Sequence, residues 1–405
     1  MSGLEFKNLL LIGMDVNSLA RSAKNAGYRV HSVDYFGDQD LRWSSDDHFS
    51  VIDQKEDVSC GRLDAGFDAE TLLEGAKVIS SRNLIDGILL STGLDDSPWV
   101  LSELSKIAPI IGNSPESIQK VRDKERFFCE LERLRVPVPQ TAVVSDLSEA
   151  WSVSKEIGYP LLVKPMQGFG GGGIRKVENP DGLRRTLRSL YSQARQTIIQ
   201  EFVPGLPASA SVVSSCSESV MLTLNEQIIG LSTVGQVEPF GYCGNIVPLF
   251  LSEETFFTCR ELAEKIIAHF GLAGSNGVDF VFSGDGLPYV VEVNPRFQGT
   301  LECVEKVLGM NLVEAHVKAC ITGSLPMVSN LIPRFCTRLI LFALHRSVVP
   351  DLSVYPQVRD IPFPSVIIEE GEPVCSIIAE EESRDLSYAK AMSIAEMIIN
   401  SLRPI

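Results

Sequence analysis

Two carboxylates, Asp279 and Glu292, flank a turn in the run GVDFVFSGDGLPYVVEVNPRFQ, residues 277–298. Val278–Phe282 and Tyr289–Val293 read as two strands, and Asp285-Gly286 suits a two-residue turn because both residue types tolerate positive φ. Centring the turn on that pair sets Asp279 opposite Glu292. Side-chain alternation then puts Asn294 on the Glu292 face. Facing carboxylates repel. A hard cation between them removes the conflict, since Mg²⁺ takes oxygen ligands, often one or two carboxylates together with substrate phosphates. The same pattern describes a solvated hairpin face with two incidental acids, but Glu292 interrupts a run that is otherwise buried in character.

A second set of residues has phosphate chemistry. Tyr159–Pro165 reads as a strand with Lys164 near its end, and Gly168-Phe-Gly-Gly-Gly-Gly173 follows. Gly168, Gly170, Gly171, Gly172 and Gly173 would let backbone N–H groups approach phosphate oxygens, with Lys164 as a point charge beside them. The spacing fits GxGxxG, but Ile174–Glu178 continues as a strand and not a helix, which excludes the dinucleotide motif. No GK[ST] P-loop is present. A flap between two strands, lying over a nucleotide, fits better than either; an unliganded hairpin tip is the alternative. Further on, Thr197–Val203 is a strand that breaks at Pro204-Gly205. Glu201 there could accept from an adenine amine, or the stretch is a plain strand end. Lys124 sits in an apolar-striped helix that opens at Asn113-Ser-Pro-Glu116 and runs to Leu134, where a lone lysine normally faces solvent.

The elements that must position these residues alternate strand and helix at the start. Leu9–Ile12, Tyr28–Val33 and Asp86–Leu90 are short apolar strands, with a helix over Ser18–Gly27, so residues 1–112 read as an open parallel α/β unit. Ligands in such sheets bind beyond the strand C-termini, here Gly13–Ser18, Asp34–Asp40 and Ser91–Ser97. The polar residues in these stretches serve a second substrate or are simply helix caps. Helices are expected over Leu147–Ile157, Asp181–Ala194, Ser252–Phe270, Leu301–Leu308, Leu312–Thr322 and Ser387–Leu402. Residues 208–234 suggest antiparallel strands, and Val234–Pro248 reads as an irregular loop. Cys336–Leu344 is a further strand. Ser365–Ile368 and Pro373–Ala379 read as a pair joined through Glu-Glu-Gly-Glu.

Bulk composition narrows the function classes. The 405 residues carry a net charge of −16 with no Lys/Arg-rich block, which argues against nucleic acid or an anionic membrane as partner. Nine scattered cysteines form no CxxC, and five histidines form no HxxxH or HExxH pair, so thiolate and imidazole metal sites and a disulfide framework fail on spacing. A reducing cytoplasm is the simplest setting. No run reads as a signal peptide or a membrane span.

Five elements in this order (an α/β domain, Asp123-Lys124, Lys164 with the glycine flap, Gln200-Glu-Phe-Val-Pro-Gly205, and Asp279 with Glu292-Val-Asn-Pro-Arg296) together resemble the ATP-grasp superfamily of ligases over essentially the whole chain. Within it the chain is most similar to predicted ATP-dependent carboligases, through Ser22-Ala-x-x-Ala-Gly-Tyr-x-Val30, Val33-Asp-Tyr-Phe-Gly-Asp-x-Asp40 and Asp360-Ile-Pro followed by Gly371-x-Pro-Val. The resemblance implies an α/β chain in three parts. These are an N-terminal pre-ATP-grasp domain (1–112), an ATP-grasp domain of two α+β lobes (113–202 and 203–330), and a C-terminal β/α segment (331–405) that completes the core. It also implies site roles. Lys124 and Lys164 would contact ATP phosphates, and Gly168–Gly173 would close over them. Glu201, with the backbone of Phe202 and Val203, would hold adenine. Asp279, Glu292 and Asn294 would hold one or two Mg²⁺, with Mn²⁺ as substitute, and Arg296 would stabilise an acyl phosphate. The carboxylate that usually holds ribose after the hinge is missing from Leu206–Ser211, leaving Ser209 or a residue from elsewhere. The implied activity is ATP-dependent joining of a small-molecule carboxylate to an amine by a cytoplasmic enzyme, with a homodimer as the expected assembly. The rivals are a biotin-carboxylase-like enzyme that phosphorylates bicarbonate, a small-molecule kinase and a non-enzymatic nucleotide-binding module. Relatives of the carboligase type are associated with pterin-based one-carbon pathways, which makes pterins one class to test.

Overall fold

A computed structural model of the chain describes residues 6–60, 67–168, 170–190, 196–215, 217–328 and 334–405. Its first unit is a four-stranded parallel sheet of Asn8–Ile12, Arg29–Asp34, Asp47–Ser50 and Gly87–Leu90. The first strand lies between the second and the fourth, and the third lies at the edge. Leu9, Leu10, Leu11 and Ile12 are all fully buried because both faces are covered. Leu10 and Ile12 pack on the helices Ala69–Arg82 and Pro98–Ile107. Leu9 and Leu11 share a core with the helices Asn17–Asn25, Leu301–Leu308 and Leu312–Thr322. The last two come from the far half of the chain, so the first unit is welded to the rest by apolar packing.

A four-stranded antiparallel sheet follows, ordered Thr141–Val144, Thr197–Glu201, Leu161–Pro165, Arg175–Val177. Helices Leu147–Ile157 and Pro180–Leu190 cover it. The end of the helix expected to run to Ala194 lies outside the described residues, as does Phe169 of the glycine run.

The largest sheet has eight strands, ordered Pro288–Asn294, Ala273–Ser283, Gly205–Ser215, Ser219–Ile229, Tyr242–Val247, Phe335–Phe342, Pro373–Glu381, Val358–Arg359. The strand Phe335–Phe342 pairs with Tyr242–Val247, so residues beyond 334 extend the sheet that the hairpin begins. No helix among the described residues is long and apolar enough to cross a membrane.

Four expectations change. The helix after Asn113 is two helices, Pro115–Arg122 and Lys124–Arg133. Asp123 breaks the run at φ −69°, ψ 93° and caps the second helix by accepting from Arg126 N. Six residues of the stretch read as an irregular loop, Val234–Pro248, are the strand Tyr242–Val247. The two strands expected to pair through Glu-Glu-Gly-Glu do not. Ile367–Ile368 pairs with Ser347–Val348, and Pro373–Glu381 with Phe335–Phe342. In the hairpin, Gly286 N donates to Ser283 O at 2.8 Å, so the turn closes around Gly284-Asp285, with Gly286 at φ +84°. That shifts the register by one residue: Phe280 faces Val290. A bulge at Val291 shifts it back, and Asp279 faces Glu292 after all.

Candidate active site

Lys164 stands on Leu161–Pro165 on the same face as Ile198 and Gln200 of the neighbouring strand. These three side chains, the glycine loop, Arg122, Lys124 and Glu292 line one cleft between the small sheet and the hairpin. Burial lowers the Lys164 ammonium to about 8, against the pull of nearby Glu292. Lys124 is buried, because the break at Asp123 starts the second helix there and turns its first residue inward. Its Nζ donates to Glu292 Oε1 at 2.7 Å, and Arg122 Nη1 donates to the same oxygen at 2.8 Å. Burial alone would raise the Glu292 carboxyl, but Lys124 and Arg122 overcome it and hold it at about 2.

Asp279 faces Glu292 with no salt-bridge partner among the described residues. Its oxygens accept from Gln227 Nε2 at 3.2 Å and Asn294 Nδ2 at 3.0 Å. Burial, and then the Glu292 charge, push its carboxyl up to about 7. Asn294 gives its carbonyl oxygen to Arg296 Nη2 at 3.0 Å, and Arg296 Nε donates to Asp95 Oδ2 at 2.6 Å. Among the described residues no three His, Cys, Asp or Glu side chains converge as a complete metal site. The donor set here is two carboxylates and an amide. That suits a hard cation completed by substrate oxygens.

The glycine loop is docked over this cleft. Tyr242 N donates to Gly170 O at 2.9 Å, and Arg175 pairs with Glu238. Gly171 has φ +76°, and a Cβ there would lie 1.9 Å from Phe240 O, so only glycine permits the approach. Gly168 N points at Asp96 Oδ2, at 3.4 Å.

The hinge residues lie apart from the cleft lining. Glu201 points to the opposite face of the small sheet from Lys164, and its carboxylate accepts from Gln140 N at 3.1 Å. Gln200, one residue earlier, lines the cleft instead. Phe202 lies under Lys176, whose Nζ is 4.3 Å from the ring centroid, and Val203 is half-buried. Ser209 is buried beside Asp279 and accepts from Asn225.

Residues that the sequence reading passed over complete the floor. Strand pairing lays Glu292, Asp279, Ser209 and Asn225 side by side; two residues on, Gln227 continues through Asn245 to Arg338. This is a polar stripe on one face of the eight-stranded sheet. Arg122 binds Asp96 through two bonds of 2.7 and 2.8 Å, which ties the loop after the fourth parallel strand to the hairpin. A signal existed for two of these features. The Ser91–Ser97 loop is a strand C-terminus, where ligands gather. Arg338 is a lone cation in an apolar strand, as anomalous as Glu292.

The ATP-grasp domain family matches residues 121–300. The chain is 28% identical to an uncharacterized protein of Methanocaldococcus jannaschii, over 93% of this chain and 89% of that one. It is 26% identical to the carbamoyl phosphate synthase large chain of Methanospirillum hungatei over 80% of its length, but spans only 31% of that larger protein. The fold is similar to that of biotin carboxylase from Campylobacter jejuni, with a TM-score of 0.75 at 19% identity, covering 98% of this chain and 92% of the other. Residues 121–300 thus match an ATP-grasp domain, and the fold of the chain around them is similar to that of biotin carboxylase.

Proposed function

We propose that this protein is an ATP-dependent ligase that joins a carboxylate to an amine through an acyl phosphate. The observation that carries the reading is the single cleft in which Lys164, Lys124, Arg122 and Glu292 meet beneath a docked glycine loop. Polyphosphate is the ligand such a cleft suits, with two ammonium groups, a guanidinium and backbone N–H groups on one side and carboxylates on the other. Mg²⁺, held by the oxygens of Asp279, Glu292 and Asn294, would neutralise phosphate charge there.

Phosphoryl transfer asks chiefly for positioning and charge neutralisation. Lys164 and Lys124 supply fixed charge to the phosphates, and the loop excludes water from them. A substrate carboxylate attacks the γ-phosphorus, giving an acyl phosphate and ADP. Arg296, held by Asp95 and Asn294, is preorganised beside the hairpin to stabilise the anionic oxygens of that species. An amine then attacks the carbonyl carbon, loses a proton and displaces phosphate, leaving an amide. No protein nucleophile is needed. The hinge segment Glu201–Val203 would lie beside the adenine, with Gln200 rather than Glu201 facing the cleft.

The test is phosphate release from ATP against pooled metabolites, pterins included, with mass spectrometry of the product. Amine-dependent release without bicarbonate, with an amide product, supports the reading. Release that requires bicarbonate, or a stable phosphorylated product, overturns it.

A further inference from the structure

Three segments far apart in sequence meet at the other end of the polar stripe. Arg338, on the sheet, is nearly buried, and its Nη2 donates to Asp15 Oδ2 at 3.2 Å, Asp360 Oδ2 at 3.1 Å and Ser376 Oγ at 3.1 Å. Asp15 belongs to the loop after the first parallel strand. Asp40 follows the second, and accepts from the backbone N–H groups of Asp360 and Ile361 at 3.2 and 2.8 Å. The cluster therefore joins two of the four strand ends of the N-terminal sheet to the segment beyond residue 334. It adjoins the reaction centre. Arg338 Nη1 donates to Gly299 O at 3.0 Å, three residues beyond Arg296.

Acid outweighs base here. Burial and mutual repulsion raise the Asp15 carboxyl to about 6 and the Asp40 carboxyl to about 7, even with Arg338 and Arg21 alongside. Geometry adds an independent sign. Asn17 is 3% exposed, its Nδ2 donates to Asp40 Oδ1 at 3.3 Å, and its Oδ1 has no hydrogen-bond donor among the described residues. A buried acceptor without a donor, set among carboxylates, calls for a group that brings both hydrogen and positive charge. A bare metal ion fits less well, since no three carboxylates among the described residues converge as metal ligands. Access exists, because the Asp15 side chain keeps 29% of its surface exposed.

We propose that Asp15, Asp360 and Asn17, around Arg338, form the subsite that receives the acceptor substrate as a primary ammonium group. This rests on the ligase reading above and gives its second substrate a charge class: a cationic amine, bound at the far end of the stripe and delivered toward Arg296. The two carboxylates and the Asn17 carbonyl oxygen would hold the ammonium by charge and hydrogen bonds until one of the carboxylates takes a proton from it.

The test uses the full chain and four probes in isothermal titration: methylammonium and 1,4-diaminobutane, with methanol and 1,4-butanediol as neutral counterparts. The ammonium probes are expected to bind and the alcohols not. Asp15→Asn should weaken ammonium binding by about tenfold or more, as loss of one charged hydrogen bond does. Asp360→Asn serves the same purpose if the first variant does not unfold cooperatively. Binding of alcohols as tight as that of amines, competition by Na⁺ or K⁺ at the same concentration as methylammonium, or unchanged amine affinity in both variants overturns the subsite. The two readings fail separately. Amine binding lost in the variants, with no amine-dependent phosphate release in the parent, leaves the subsite and removes the ligase. Amine-dependent release that neither substitution alters leaves the ligase and removes the subsite.

Discussion

Replacing Glu292 by its neutral isostere tests the centre of the cleft. In Glu292→Gln the side chain keeps its shape and loses the charge that Lys124 and Arg122 share. Arg122 retains its two bonds to Asp96. Lys124, with a side chain only 9% exposed, keeps no other hydrogen-bond partner among the described residues. A charged hydrogen bond contributes about 1.5–3 kcal/mol. Because 34% of the Glu292 side chain is accessible, solvent screening reduces this to about 1–2 kcal/mol. The expected result is a lower urea midpoint and a thermal midpoint lower by a few degrees, with cooperative unfolding preserved. Two further groups respond. Glu292 holds the Lys164 ammonium up and pushes the Asp279 carboxyl up, so both should fall when its charge goes. Lys164 would then carry less charge at neutral pH, just where phosphate needs it. With a carboxylate proposed to hold the cation also gone, ATP turnover should drop by about 10²–10³-fold. Turnover within twofold of the parent would refute the site assignment. Lost turnover with an unchanged urea midpoint would keep the site but refute the stabilising role given to the Lys124–Glu292–Arg122 group.

Two other substitutions probe different parts. Gly171→Ala places a Cβ against Phe240 O at a positive φ, so the loop should fail to seat; kcat/KM for ATP is expected to fall about tenfold or more, with little change in thermal midpoint and faster limited proteolysis at the loop. Burial and the Glu292 charge push the Asp279 carboxyl up to about 7 from its ordinary 3.8, so the native state binds more protons between those values and its contribution to stability declines as pH rises through them. Asp279→Asn should therefore flatten the loss of stability between about pH 5 and 7, read from urea midpoints across that range; an unchanged slope would show that this carboxyl is not held protonated by its surroundings.

How much of the site could be read beforehand depended on whether its physics was local. The facing of Asp279 and Glu292 came out right although the turn was misplaced, because a one-residue offset at Gly286 and a one-residue bulge at Val291 cancel. A hydrophobic pattern fixes which face a residue takes, while turn and bulge together fix the register. Lys124 was hidden for a local reason of a different kind. Its helix pattern runs on through Asp123, and only the backbone break there turns the ammonium inward. Arg122 was out of reach, as were the partners of Asp96 and Arg338, because their meaning is pairwise across the fold. Arg122 gains it from a residue 170 positions away, and Arg338 from one 323 positions away. Yet buried charge in an apolar strand is visible in sequence without any partner, since an unpaired charge there costs several kcal/mol and therefore implies one. By that reasoning Glu292 in Tyr-Val-Val-Glu-Val and Arg338 in Cys-Thr-Arg-Leu-Ile-Leu pose the same question. They are answered at opposite ends of one polar stripe, by Lys124 and Arg122 at the first and by Asp15 and Asp360 at the second. The stripe crosses the sheet with cations meeting a carboxylate at the hairpin end and excess acid at the other. That polarity supports the proposed reaction between a phosphorylated acid and a cationic amine.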